Sequence, residues 1–160
     1  MNIPRSEYPR PQFERAAYMN LNGLWQFEID HGASGRARGL VNKEMLDGTI
    51  TVPFCPESRL SGVGYTDFMA AVWYRRAFTL PEEAAGKRVI LHFGAVDYRC
   101  EVWVNGASAG VHEGGFASFS FEITKLLVPG ENTLVVCAED DTRGGRQPLG
   151  KQAFRYQSSG

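Results

Sequence analysis

Nowhere does this 160-residue chain approach the roughly 18 consecutive apolar residues that carry a helix across a bilayer, so no helical membrane span and no membrane partner is expected. Its first residues, MNIPRSEYPRPQFERAAYMNLNG, place prolines and charges before any apolar run. They lack the uninterrupted hydrophobic region of a secretory signal, and a cytoplasmic location is expected. Cysteine is scarce. Cys55, Cys100 and Cys137 are an odd number at wide spacing, which argues against a disulfide framework and fits thiols in a reducing compartment. With no C-x-x-C pair among them, no metal centre is expected either. Neither sign of charge dominates: 17 Lys and Arg face 18 Asp and Glu for a formal charge of −1, and the basic residues are scattered. Nucleic acid and anionic surfaces both require clustered positive charge, so neither is an expected partner. Long amphipathic helices, internal repeats and low-complexity tracts are also missing.

What the chain has instead is a period of two, the mark of strands with one buried face. In LWQFEID, Trp25, Phe27 and Ile29 alternate with Gln26 and Glu28. In RVILHF, Val89, Leu91 and Phe93 alternate with Arg88, Ile90 and His92. The same pattern turns Cys100, Val102 and Val104 inward and Arg99, Glu101 and Trp103 outward. It recurs with Phe119, Phe121 and Ile123, and again with Leu134, Val136 and Ala138. Thr49 to Val52 and Val72 to Leu80 are less regular candidates. Glycine, proline and Asp-Gly or Asn-Gly pairs punctuate these runs, and only Glu82 to Lys87 and Thr124 to Val128 have room for a helical turn. Many short strands without βαβ alternation predict an all-β antiparallel sandwich or jelly roll in one domain, 1–160.

Three motifs invite a chemical reading. Gly106-Ala107-Ser108-Ala109-Gly110 fits G-x-S-x-G, which in hydrolases puts the serine on a strained turn from strand into helix. Here Asn105-Gly106 is a two-residue hairpin signal, so Ala107 to His112 is predicted to return as a strand with Ser108 an ordinary member. His112-Glu113 begins an H-E-x-x-H pattern, but position 116 is Phe and Gly114-Gly115 would break the helix such a zinc site needs. Glu139-Asp140-Asp141 is too short a set of oxygens for a calcium cage and reads as a solvated strand end. Trp25, Trp73 and Trp103 have faces suited to sugar rings, yet all three lie in alternating strands, where packing is the simpler role.

Taken in order, a set of short motifs resembles the amino-terminal sugar-binding domain of glycoside hydrolase family 2, the family of β-galactosidases and β-glucuronidases. The motifs are Leu21-Asn22-Gly23-Leu24-Trp25-Gln26-Phe27, Val52-Pro53, Val72-Trp73-Tyr74-Arg75-Arg76 and Phe93-Gly94-Ala95-Val96-Asp97-Tyr98. They continue through Val102-Trp103-Val104-Asn105-Gly106, His112-Glu113-Gly114-Gly115-Phe116, Pro129-Gly130-Glu131-Asn132 and Gly150-Lys151-Gln152. The resemblance implies a galactose-binding-like jelly roll that precedes an immunoglobulin-like sandwich and a (β/α)8 barrel bearing two catalytic glutamates. Neither of those domains is in this sequence. Retaining hydrolysis needs two carboxyl groups about 5–5.5 Å apart, and no pair here has a reason to converge, so the chain alone is expected to be inactive, with no catalytic residue and no cofactor.

The resemblance further implies that loops of this domain reach the sugar in the intact enzyme. Two segments qualify, because long irregular loops are more often functional than core-supporting. Gly64-Tyr65-Thr66-Asp67 offers Asp67 as an acceptor for sugar hydroxyls, and the polar excursion from Asp141 to Gln152 offers Lys151 and Gln152 as donors. The expected partners are a β-galactoside or β-glucuronide, the remaining domains of the parent enzyme, and a second copy of the chain. Relatives continue past the point where this sequence reads AFRYQSSG, so the final strand of the jelly roll is expected to be missing and its open edge to favour self-association. An autonomous carbohydrate-binding module, acting through surface aromatics without a barrel, is the other function this pattern allows.

Overall fold

A computed structural model describes residues 3–145 and 147–148. The backbone forms eight strands: β1 (Gly23–Asp30), β2 (Gly48–Val52), β3 (Ala71–Thr79), β4 (Ile90–Phe93), β5 (Arg99–Val104), β6 (Ala107–Glu113), β7 (Phe119–Glu122) and β8 (Glu131–Glu139). The helical segments among the described residues are single 3-10 turns, two falling where sequence allowed a helical turn, at Glu82–Ala84 and Thr124–Leu126. Six strands form one antiparallel sheet in the order β2-β1-β3-β8-β5-β6, and β4 pairs with β7 in a second. The all-β antiparallel sandwich expected from the period of two is therefore what the chain builds.

The main core lies between the two sheets. Trp25, Phe27, Ile50, Val72, Phe78, Cys100, Val102, Val104, Leu134 and Val136 of the large sheet meet Leu91 of β4 and Ile123 just after β7, with Phe93, Phe119 and Phe121 packed at its margin. Each large apolar side chain so buried contributes about 1.5–3 kcal/mol. Apart from Ile50, Val72 and Phe78, which lie in the less regular runs, these belong to the inward set that the alternation picked out. Asn105 and Gly106, at φ +52° and +80°, turn β5 into β6 with both residues in the left-handed region, as a type I′ hairpin requires.

The opposite face of the large sheet departs from expectation. Glu28, Asp30 and Trp103, read as outward or terminal positions, are buried, together with Trp73, Val135 and Cys137. The cause is the segment 31–47, which folds back across this face and inserts Leu40 and Leu46 among Ala71, Trp73, Trp103, Val135 and Cys137. Trp73 and Trp103 stack with centroids 5.5 Å apart. Ion pairs fasten the segment down: Arg36 to Glu101 (2.8 Å) and Glu139 (2.6 Å), Arg38 to Glu28 (2.6 Å), and Lys43 to Glu28 (3.1 Å). The central strands are thus buried on both faces. All three tryptophans serve packing.

Asp30, at the end of β1, starts the covering segment. Its carboxylate accepts hydrogen bonds from the backbone N–H groups of Gly35 (2.6 Å) and Ser34 (3.1 Å) and from the Trp73 indole N–H (3.2 Å). Gly35 is required here, because a Cβ at that position would lie 2.4 Å from Trp73 Nε1.

Candidate functional site

Strand order decides which loops meet. Ala71 at the start of β3 lies opposite Glu139 at the end of β8, Glu139 opposite Arg99 at the start of β5, and Arg99 opposite Glu113 at the end of β6. The connections before β3, before β5, after β6 and after β8 therefore all emerge at one end of the large sheet. Between them is a shallow hollow of about 250 Å³ lined by Ala70, Tyr98, Arg99, Glu113, Glu139, Asp140, Asp141 and Gln147. The two loops that sequence singled out are among these connections, and the Arg143 guanidinium lies over the Phe68 ring at 4.6 Å, joining one to the other.

Asp67 stands exposed on the first of these loops, three residues before Ala70, and its Oδ1 accepts a 2.7 Å bond from the Phe68 N–H. It is not among the residues that line the hollow. From the second loop, Asp141 and Gln147 line the hollow directly, and the Gln147 amide donates to the Asp140 carboxylate. Lys151 and Gln152 lie outside the described residues.

The floor is electrostatically organised. Arg99 pairs with Glu139 (2.7 Å), Glu101 (3.5 Å) and Glu113 (3.7 Å), and Arg36 of the covering segment reinforces Glu139 and Glu101. Hydrogen bonding by Arg36 outweighs burial and, with Arg99, holds the Glu139 carboxyl below its ordinary range. Asp97 moves the other way: burial, then the negative charge of Asp140, pushes its carboxyl up. The strands are stitched together behind the floor, where Tyr98 N–H donates to Glu139 O (3.1 Å) and Gly114 N–H to Tyr98 O (2.9 Å); the Asp97–Tyr98 peptide is cis. Glu101, Glu113 and Glu139 are all tied to Arg99. Carboxylates engaged this way accept hydrogen bonds from hydroxyl groups; they are not arranged as an acid and a nucleophile flanking a scissile bond.

Sequence reasoning missed Tyr98, Arg99 and Glu113 as wall residues, since Arg99 read as an outward strand position and Glu113 only as part of a broken zinc pattern. The available signal was their position at strand ends beside loops already under suspicion. Ser108 is exposed on β6 opposite Trp103, in a strand and not at an elbow into a helix. His112 stacks on Phe119 with centroids 4.0 Å apart, and its Nε2 lies 3.2 Å from Gly114 O.

A family model described as glycosyl hydrolases family 2, sugar binding domain, matches residues 18–144. The chain belongs to glycosyl hydrolase family 2. Among relatives of this family 2 domain, a β-glucuronidase of Paenibacillus borealis is 29% identical over 134 residues, covering 82% of this chain and 22% of the relative. One from Canis lupus familiaris is 35% identical over 136 residues, covering 77% and 20%. The solved β-glucuronidase of Lactobacillus rhamnosus superposes with a TM-score of 0.65 at 35% identity, covering 76% of this chain and 21% of that one. The family 2 chain thus spans about a fifth of the length of the curated relatives it matches.

Proposed function

We propose that this family 2 domain is the non-catalytic carbohydrate-binding part of a retaining glycosidase that acts on β-glucuronides in a reducing, cytoplasmic setting, and that it lends loops to the substrate site of the intact enzyme. The names of the relatives support a glucuronide over a galactoside. Three free thiols, two of them buried, suit such a compartment. The observation that carries the reading is the meeting of the Asp67 loop and the 140–148 loop beside the Arg99 floor, which sets several hydrogen-bond acceptors at one end of a rigid sheet. In this arrangement Asp67 binds sugar hydroxyls, Lys151 and Gln152 act as donors from the same excursion, and the carboxyl pair that cleaves the bond comes from a separate domain.

The test uses the enzyme carried by the whole reading frame. With 4-nitrophenyl β-D-glucuronide, Asp67→Ala is expected to raise KM about tenfold through loss of a charge-assisted hydrogen bond, with kcat changed much less. The 160-residue chain alone is expected to release no nitrophenol. Unchanged kinetics in the Asp67→Ala enzyme, or turnover by the chain alone, overturns the reading.

A further inference from the structure

The cations that fasten the covering segment 31–47 hold different strands. Arg38 pairs with Glu28 and Asp30 on β1, and Lys43 with Glu28 and with Asp47 of the segment itself. Arg36 instead reaches Glu101 on β5 and Glu139 on β8. Its backbone is fixed on both sides. Asp30 grips the Gly35 N–H (2.6 Å), the Leu40 N–H donates to Gly35 O (3.0 Å), and the Gly39 N–H donates to Arg36 O (3.1 Å). Leu40 is itself 1% exposed, inserted against Trp73 and Trp103. The Arg36 guanidinium is thus delivered from an anchored turn to carboxylates 65 and 103 residues away in sequence.

Glu139 lines the hollow, and both of its oxygens are engaged. Oε1 accepts from Arg36 Nη1 (2.6 Å), and Oε2 accepts from Arg36 Nη2 (3.1 Å) and Arg99 Nη1 (2.7 Å). Glu101 Oε2 accepts from Arg36 Nε (3.0 Å) and Nη2 (2.8 Å), and from Arg99 Nη1 at 3.5 Å. One planar fork therefore fixes two carboxylates relative to each other, which a point charge could not do. Arg99, the cation of the hollow, also pairs with Glu113 (3.7 Å). Without Arg36, a single guanidinium would face Glu101, Glu113 and Glu139, and repulsion among these carboxylates would turn the acceptors apart. The Arg36 side chain is 37% exposed, and exposed ion pairs ordinarily add little to stability. Fixing the geometry of the acceptors is the role that its four hydrogen bonds fit best.

We infer that Arg36 is a positioning residue of the sugar site: it sets the Glu139 and Glu101 carboxylates, and through them Arg99, in the arrangement that accepts sugar hydroxyls. It is not among the residues that line the hollow, so it acts through Glu139 and Arg99, which are. The inference rests on the reading of the hollow as part of the substrate site. It adds the covering segment, which belongs to neither candidate loop, to what that site requires.

The experiment uses the enzyme carried by the whole reading frame, with 4-nitrophenyl β-D-glucuronide as substrate and unfolding midpoints measured alongside. Arg36→Gln is expected to raise KM about fivefold. Its kcat should change much less, because the carboxyl pair that cleaves the bond comes from a separate domain. Arg38→Gln is the matched control: it removes a cation of the same segment, paired with Glu28 (2.6 Å) and Asp30 (3.3 Å) instead, and should lower the unfolding midpoint while leaving KM unchanged. Glu139→Gln separates the positioning role from the reading it rests on, and is expected to raise KM at least as much as Arg36→Gln does. Unchanged KM in Glu139→Gln would show that the hollow does not hold the sugar, and the inference falls with that reading. A raised KM in Glu139→Gln beside an unchanged one in Arg36→Gln, or equal rises in Arg36→Gln and Arg38→Gln, overturns the positioning role alone.

Discussion

Asp30 shows how one side chain can decide the conformation of a whole segment. It is 3% exposed, and burial by itself would favour the neutral acid. The Gly35 and Ser34 amides, the Trp73 indole and the charge of Arg38 together outweigh that, so its carboxyl is held below the ordinary range. The folded form therefore binds this proton more weakly than the unfolded chain does. The stabilisation is complete above the usual carboxylate range and is lost as pH falls through the depressed folded value. Asp30→Asn should cost about 1–3 kcal/mol near neutrality. Its urea-unfolding free energy should also fall less steeply in acid than that of the native chain. Parallel pH profiles for the two proteins would remove Asp30 as the group responsible. Gly35 guards the same arrangement from the backbone side: with a Cβ 2.4 Å from Trp73 Nε1 and 2.8 Å from Asp30 Oδ2, Gly35→Ala must push the loop off the indole. A loss of about 1–3 kcal/mol in the same denaturation experiment is expected. Neither residue could be singled out from sequence, because Asp30 is simply the last residue of an alternating run and Gly35 one glycine in a polar stretch.

The strands were the legible elements: six of the eight described coincide with a run whose alternation or hairpin signal is visible in the sequence, and β2 and β3 with the two less regular candidates. Their second face was not legible as it was read. Leu134-Val135-Val136-Cys137-Ala138 is apolar at every position, which is the pattern of a strand buried on both sides, and β8 does lie at the centre of the sheet with Val135 and Cys137 against Trp73 and Trp103. A second hint was charge: Glu28, Asp30, Glu101 and Glu139 on alternate positions await the cations of 31–47, but which segment supplies them depends on long-range packing. The hairpin between β5 and β6 was legible because its requirement is local. Asn105 does more than permit a positive φ. Its amide donates to Leu126 O (2.8 Å) and Asn132 Oδ1 (2.7 Å), and its Oδ1 accepts from Thr133 N–H (2.9 Å), pinning the turn to the start of β8. Two variants separate these roles. Asn105→Gly keeps the backbone freedom and loses the bonds, at about 1–2 kcal/mol. Asn105→Ala loses both and should be lower by about 1 kcal/mol more. Equal midpoints for the two would show that the left-handed turn contributes nothing beyond the side-chain bonds.

At the scale of the molecule, the two sheets are unequal partners, and this sets where the fold opens. β8 is hydrogen-bonded along its length to β3 and again to β5, and both of its faces are covered. β4 and β7 are four residues each, with one another as their only ladder partners among the described residues, and Ile90 on β4 is exposed. A two-stranded ladder of that length is marginal without the surface it packs on. What ties it to the sandwich is Leu91 and Ile123 in the core, with Phe93, Phe119 and Phe121 packed against it, while the bonds from Val89 N–H to Thr124 Oγ1 (2.9 Å) and from Ile123 N–H to Val89 O (3.0 Å) only extend the β4–β7 ladder. The loops of the candidate site hang from β3, β5 and β8 and from the edge strand β6, so most of the acceptors around Arg99 are mounted on the best-covered strands, as a site that positions a ligand requires. That much of the site was legible as loops, while their convergence was not, because it follows from strand order and no local signal encodes strand order. Native-state hydrogen exchange reads the resulting hierarchy. Amides of β8 should exchange only through global unfolding, and those of β4 and β7 through a local opening several kcal/mol less costly. Leu91→Ala, expected to cost about 2–4 kcal/mol, should accelerate β4 and β7 at denaturant concentrations where β8 still exchanges with the native dependence on urea. If β4 and β7 exchange no faster than β8 in the unmodified chain, the sandwich opens as a single unit, and the small sheet holds the large one as firmly as the large one holds it.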